Sequence, residues 1–310
     1  TLDLAEIEAA VQGYLNPYSR ADIFLAKHGV DGDLEIEEAA VTFMRGLPLG
    51  MNLKAGKYLV DFGKLNTLHP HAYPFVDRPL LHQAYFGDDG WNDIGVQLSV
   101  LLPTGSLYTQ WSVNVLKNSP AHSHEEEDQA EETDHHHEKE RPLAWTSRLS
   151  SHVALSERSN IEWGFNAARA AYDPDRDLSY KRFGVDAKYK WKPDSYRSLT
   201  LQAEALLENR RLAAADSFSV ATTSTTAGVY AFLNYQFRKR WNIGAMTEFL
   251  QPPAGEAEHY RSWSAFVGFA PMEETSVIRL LYRHTEELDN VDKIILQISF
   301  ALGPHKAHLF

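Results

Sequence analysis

His122, His124, His135, His136 and His137 stand in the stretch AHSHEEEDQAEETDHHHEKER (121–141), among seven Glu and two Asp. Neutral imidazole and carboxylate are ligands for Zn(II), and they take Ni(II) or Cu(II) with little discrimination, because affinity follows the metal more than the site. Zn(II) or another divalent cation is therefore the expected ligand of this segment, and no cofactor is otherwise required. The plainer reading is a solvated acidic loop, since a charge-rich stretch without apolar residues cannot form a core.

A second group lies in 63–93, where His69, His71, Asp77, Arg78, His82, Asp88, Asp89 and Asp93 are interleaved with Tyr73, Phe75, Tyr85, Phe86 and Trp91. Loops this long are usually functional. The aromatics suit packing against a wall, and the charged groups suit a constriction, where acidic or basic side chains set ion preference. His69, His71, Asp77, Arg78 and His82 are thus candidate lumen residues. His69 and His71 can equally serve to satisfy backbone groups in a compact loop. Glu37 and Glu38 are neighbours in sequence, so on a regular strand only one of them faces a given side.

Other chemistries find no support. The chain has no cysteine, which excludes disulfides, thiolate catalysis and Cys-based metal sites. It has no Gly-x-Ser-x-Gly elbow, His-Glu-x-x-His pair or phosphate-binding Gly loop, so no enzyme is expected. A formal charge of -12 argues against nucleic acid, whose phosphates need a basic surface, and favours cations or neutral solutes.

The elements that position these groups are read from periodicity. No apolar run reaches the ~18 to 20 residues of a spanning helix. Instead, apolar and polar residues alternate in segments of roughly ten residues separated by turns. Ile161, Trp163, Phe165 and Ala167, for example, alternate with Glu162, Gly164 and Asn166. Leu199, Leu201, Ala203, Ala205 and Leu207 alternate with Thr200, Gln202 and Glu204. A soluble barrel turns the apolar face inward; a membrane barrel turns it out. The Gly, Ser, Gln, Asp, Lys and Glu of the polar face suit a wet lumen, and the placing of Tyr108, Trp145, Trp163, Trp191, Trp241 and Trp263 suits interfacial girdles.

These segments predict an all-β transmembrane antiparallel barrel of about 14 strands, with 12–16 as the range, in a single domain over 1–310. They fall at 9–27, 34–45, 51–62, 94–102, 107–117, 143–154, 161–171, 179–191, 197–208, 226–237, 241–250, 262–270, 276–285 and 293–302. Short connections at 45–50, 103–106, 156–160, 192–196, 238–240 and 271–275 alternate with longer ones, including 63–93, 118–142 and 209–225. Bacterial outer-membrane barrels have short periplasmic turns and longer extracellular loops. That pattern sets 118–142 outside the cell, leaves 63–93 free to fold inward, and puts both chain ends on the periplasmic side. The opening TLDLAEIEAA has neither the basic start nor the apolar core of a signal peptide, as expected of a mature or trimmed form. The closing Phe310 is the terminal aromatic by which the outer-membrane assembly machinery is thought to know its clients.

The stretch 16–103 resembles a family of porin-like outer-membrane proteins, similar to phosphate-selective porins and described as zinc-regulated outer-membrane receptors. The likeness rests on Asn16-Pro17-Tyr18, Glu37-Glu38-Ala39, Gly56, Phe62-Gly63, Asn66 and His69-Pro70-His71. It continues through Asp77-Arg78-Pro79-Leu80, Gly87, Gly90 and Leu102-Pro103, and returns in the ending 303–310. The resemblance implies a barrel in the outer membrane of a Gram-negative bacterium, with the lipid bilayer, small solutes or divalent cations, and the assembly machinery as partners. The function expected is a channel for small solutes, with the His/acid-rich loop assisting divalent metal, zinc above all. The rival is a closed-lumen barrel that displays the loop as a sensor or adhesive surface.

Overall fold

The computed structural model describes residues 3–117, 142–173, 178–212, 222–253, 259–272, 275–286 and 290–302. The alternating segments all become strands. They are β1 (Glu6–Asn16), β2 (Ser19–His28), β3 (Leu34–Phe43), β4 (Asn52–Leu59), β5 (Asn92–Leu102), β6 (Tyr108–Leu116), β7 (Ala144–Ser156) and β8 (Ser159–Asp173). There follow β9 (Leu178–Trp191), β10 (Ser198–Arg211), β11 (Thr223–Arg238), β12 (Trp241–Leu250), β13 (Tyr260–Phe269), β14 (Ser276–Glu286) and β15 (Val291–Phe300). Each pairs antiparallel with its neighbour in sequence, giving one sheet of 15 strands in chain order. One α-helix, α1 (Leu80–Phe86), lies in the connection between β4 and β5.

Burial decides what alternation alone leaves open. On β10, Thr200, Gln202, Glu204 and Glu208 are buried, whereas Leu201 and Leu207 are 40% and 41% exposed. Phe165, Val185, Val229, Ile243, Trp263 and Leu280 repeat that outward exposure on neighbouring strands. A water-soluble barrel hides this face. Here the apolar side chains form the outer belt and the polar ones face the interior, the arrangement of a barrel set in lipid.

The sheet must also be curled. Fifteen strands spaced by about 4.8 Å would lie roughly 70 Å across if flat. Yet the single connection 60–91 makes side-chain contacts with β1, β3, β8, β10, β12, β14 and β15. Only a sheet wrapped around that connection permits this. Among the described residues no ladder joins β1 to β15, so a seam separates the two edge strands.

Two expectations are corrected. The segment 9–27 is two strands, β1 and β2, because Asn16 Oδ1 accepts from the amides of Tyr18 and Ser19 and turns the chain at Pro17. Proline supplies no amide to a ladder and fixes its φ, so a hairpin turn is where it fits. Among the described residues the count is therefore 15 rather than 14, within the expected range. Among the described residues the first and last strands also open at opposite ends of the sheet. The amide of Gly29, at the long-loop end, donates to Ala5, whereas the amide of Ala301 donates to Thr275 at the short-turn end. The start of β1 and the finish of β15 therefore do not share a side.

Candidate functional site

The connection 60–91 has a core of its own. Val60, Phe62, Leu65, Tyr73, Phe75, Leu81, Tyr85, Phe86 and Trp91 are all nearly inaccessible to water. Asn66 ties its two ends, donating from Nδ2 to the carbonyls of Val60 (2.8 Å) and Trp91 (3.0 Å) and accepting the Trp91 amide at Oδ1 (2.8 Å). Gly90 makes this closure possible. Its φ is +80°, and a Cβ there would stand 2.7 Å from Asn66 Oδ1 and 2.3 Å from Arg78. Arg78 is buried beside the Tyr73 ring, 5.5 Å from its centre.

The lumen wall receives this loop at matched places. The inward face departs from polar where Phe232, Met246, Phe266 and Leu281 form an apolar patch on β11–β14. Phe75 docks there, 5.0 Å from the Phe232 ring. Around the patch, polar side chains take up loop backbone groups. Glu204 accepts the amides of Lys64 (3.1 Å) and Leu65 (2.8 Å) and the Tyr230 hydroxyl (2.7 Å). Gly63, with φ +74°, brings the chain this close, since a Cβ on it would lie 2.3 Å from Glu204. Asn166 accepts the Gly63 amide and Glu248 the Leu80 amide. Arg283 forks onto Asp77 at 2.6 and 2.7 Å.

Toward β1–β3 the loop is held differently. The His69 ring stacks on Phe24, with centroids 4.4 Å apart. Its Nε2 lies 2.7 Å from Glu38, and its Nδ1 lies 3.1 Å from Glu37 and 3.0 Å from Glu8. Burial alone would lower the pKa of this imidazole, but the bonds to Glu37, Glu38 and Glu8 outweigh it and raise His69 to about 11. His71 Nδ1 stands 3.3 Å from the same Glu8 oxygen.

No protein-family model matches the chain. An uncharacterized protein of Aquifex aeolicus (strain VF5) is 25% identical over 304 residues, covering 90% of this chain. The chain spans only 64% of that relative's length. Among solved structures, the anion-selective porin of Comamonas acidovorans superposes with a TM-score of 0.58 at 9% identity, covering 91% of this chain and 78% of that one. The outer-membrane channel DcaP of Acinetobacter baumannii gives 0.57 at 13% identity, covering 94% and 82%. OmpF of Salmonella typhi gives 0.55 at 8% identity, covering 90% and 81%. The fold is that of an outer-membrane porin.

Within this porin-like barrel the sequence candidates separate. His69, His71, Asp77, Arg78 and His82 all belong to the loop at the lumen wall, but not to one site. His82 Nε2 pairs with Glu204 at 3.1 Å, on the far side from His69. Asp77 serves Arg283, and Arg78 stays inside the loop. His122, His124, His135, His136 and His137 lie outside the described residues.

The Glu37 and Glu38 expectation is overturned by a β-bulge. Phe24 pairs with Glu38 and Leu25 with Ile36, so Glu37 is the extra residue. A bulge lets two successive side chains reach one face, and both carboxylates meet His69. Sequence reasoning missed the parts of this site on β1 and the bulge. The Glu6-x-Glu8 spacing was the available signal, since it sets two acids on one face of a strand.

Proposed function

We propose that the chain is a Gram-negative outer-membrane channel for small solutes, narrowed by the loop 60–91. The observation that carries this reading is the union of an apolar outer belt with a polar, charged interior across which one loop is fastened. An interior of that kind favours water and ions, and a fixed inward loop sets the cross-section that a solute meets. Lys54, Lys188 and Lys190 share the inward face toward the short turns with Asp22, Glu162 and Asn160. Charge of both signs therefore meets a passing ion.

The finer parts of the reading are separate proposals. His122, His124, His135, His136 and His137 gather Zn(II) or a similar cation at the extracellular mouth, with affinity of micromolar order because a charge-rich segment loses entropy on ordering. The phosphate preference implied by the sequence resemblance is tested by block of the current with inorganic phosphate. The assembly machinery and the lipid bilayer are the partners such a barrel requires.

A closed-lumen display barrel is the second reading, favoured by the near-complete burial of Phe62, Tyr73, Phe86 and Trp91 inside the loop. Planar-bilayer recording on the purified full chain separates the two. Discrete conductance steps are expected; a barrel that inserts, remains heat-modifiable on gels and gives no steps sinks the channel reading.

A further inference from the structure

We propose that Glu8, Glu37 and His69, with His71 beside them, form a binding site for one divalent transition-metal ion at the long-loop end of the lumen. The inference stands apart from conduction, since a barrel without current could still bind the ion. It also concerns residues other than the 122–137 histidines.

The geometry is that of ligands around a small cation. His69 Nδ1 stands 3.0 Å from Glu8 Oε2 and 3.1 Å from Glu37 Oε2, and His71 Nδ1 stands 3.3 Å from that Glu8 oxygen. Tetrahedral Zn(II) with bonds of about 2.0–2.1 Å has ligand-to-ligand edges of about 3.3–3.4 Å. The ligand atoms of Glu8, Glu37 and His69 all lie within 4.8 Å of one another, close to the span that one small cation requires. Glu8 is also shared by a second trio, with Glu6 and His71.

Three further features point the same way. Glu38 accepts from His69 Nε2 at 2.7 Å and Phe24 stacks on the ring, so the imidazole is oriented with Nδ1 toward Glu8 and Glu37. A carboxylate behind a ligating histidine is the usual outer-shell partner. Next, Glu6 Oε1 is buried without a hydrogen-bond partner, and Glu8 Oε2 has the Nδ1 atoms of His69 and His71 as its near neighbours. A desolvated carboxylate oxygen is costly unless a cation or donor meets it. Finally, Glu6, Glu8, Glu37 and Glu38 converge where Lys54, His28, His69 and His71 are the cationic candidates. Four carboxylates beside one lysine give a divalent ion favourable surroundings once it displaces the imidazole proton. On binding, the ion takes the Nδ1 lone pair of His69, and any proton held there leaves to solvent.

Glu8 lies on β1, Glu37 on β3 and His69 in the loop, so the ion would pin an edge strand of the sheet to the constriction. The test is calorimetric titration of Zn(II) into the detergent-solubilised full chain with His122, His124, His135, His136 and His137 replaced by Ala. One residual site is expected. Glu8→Gln in that background should weaken it about a hundredfold and Glu38→Gln about tenfold, while Glu157→Gln at a short turn leaves it unchanged. X-ray absorption on the protein with Glu8 intact should show a mixed nitrogen and oxygen shell with imidazole scattering. No residual binding, affinity indifferent to Glu8→Gln, or an all-oxygen shell would each overturn the proposal.

Discussion

The two sides of the lumen hold the same loop by opposite means. Along β8–β14 attachment is spread over Asn166, Glu204, Glu248 and Arg283, each meeting a different part of the loop, with an aromatic patch between them. At β1–β3 the polar contacts converge on His69 and His71. The difference teaches where rigidity comes from. A distributed wall tolerates the loss of one contact, because its neighbours keep the backbone in place. A convergent one transmits any change at a single ring to the whole edge of the sheet.

Removing most of the loop tests the contrast most severely. Deletion of 68–86 takes away both kinds of attachment, and single-channel conductance should rise roughly twofold or more with the barrel still heat-modifiable. Unchanged conductance would place the narrowest section elsewhere. Next in size is Glu204→Gln, which keeps the shape of the side chain but weakens bonds from two amides, a tyrosine hydroxyl and His82. Loss of charge-assisted bonds of this kind costs about 2 kcal/mol. Unfolding in detergent and urea should register that loss, while the mean conductance shifts little because Asn166, Glu248 and Arg283 remain. A conductance jump as large as that of the deletion would show that the wall is not distributed at all.

The smallest effect is expected away from both walls. Asp194, in the short turn before β10, accepts the Tyr196 amide and pairs with the Arg197 side chain, which together hold its carboxyl below the usual range. A lowered carboxylate pKa contributes stability at neutral pH and loses it as pH falls through the folded value. Asp194→Asn should therefore leave conductance at neutral pH untouched and alter only the acid limb of an unfolding profile. A conductance change would mean that the short turns communicate with the constriction.

Much of the strand pattern was legible because an inward–outward alternation is written directly into residue type: Leu201 and Glu204 already announce their faces. The split at Pro17 was less so, since both flanking segments mix apolar and polar residues in the same way and the Asn16 turn is made by one side-chain oxygen. The loop was visible as a long, aromatic-rich interruption. Its partners were not, because Glu204 and Arg283 lie more than a hundred residues away and only the curl of the sheet brings them near. Glu37 was misjudged for a sharper reason. A bulge is a backbone event that shifts every side-chain direction after it, and no residue in Glu35-Ile36-Glu37-Glu38 marks where the register slips.

The alternation of long connections with short turns makes the molecule vectorial. A short epitope placed in the connection 29–33 and another placed in the turn 157–158 would sit in different compartments, one reachable from outside an intact cell and the other from within the envelope. Labelling with an impermeant reagent before and after permeabilising the outer membrane would therefore assign an absolute direction to the barrel from a pair of tags, with no knowledge of what passes through it.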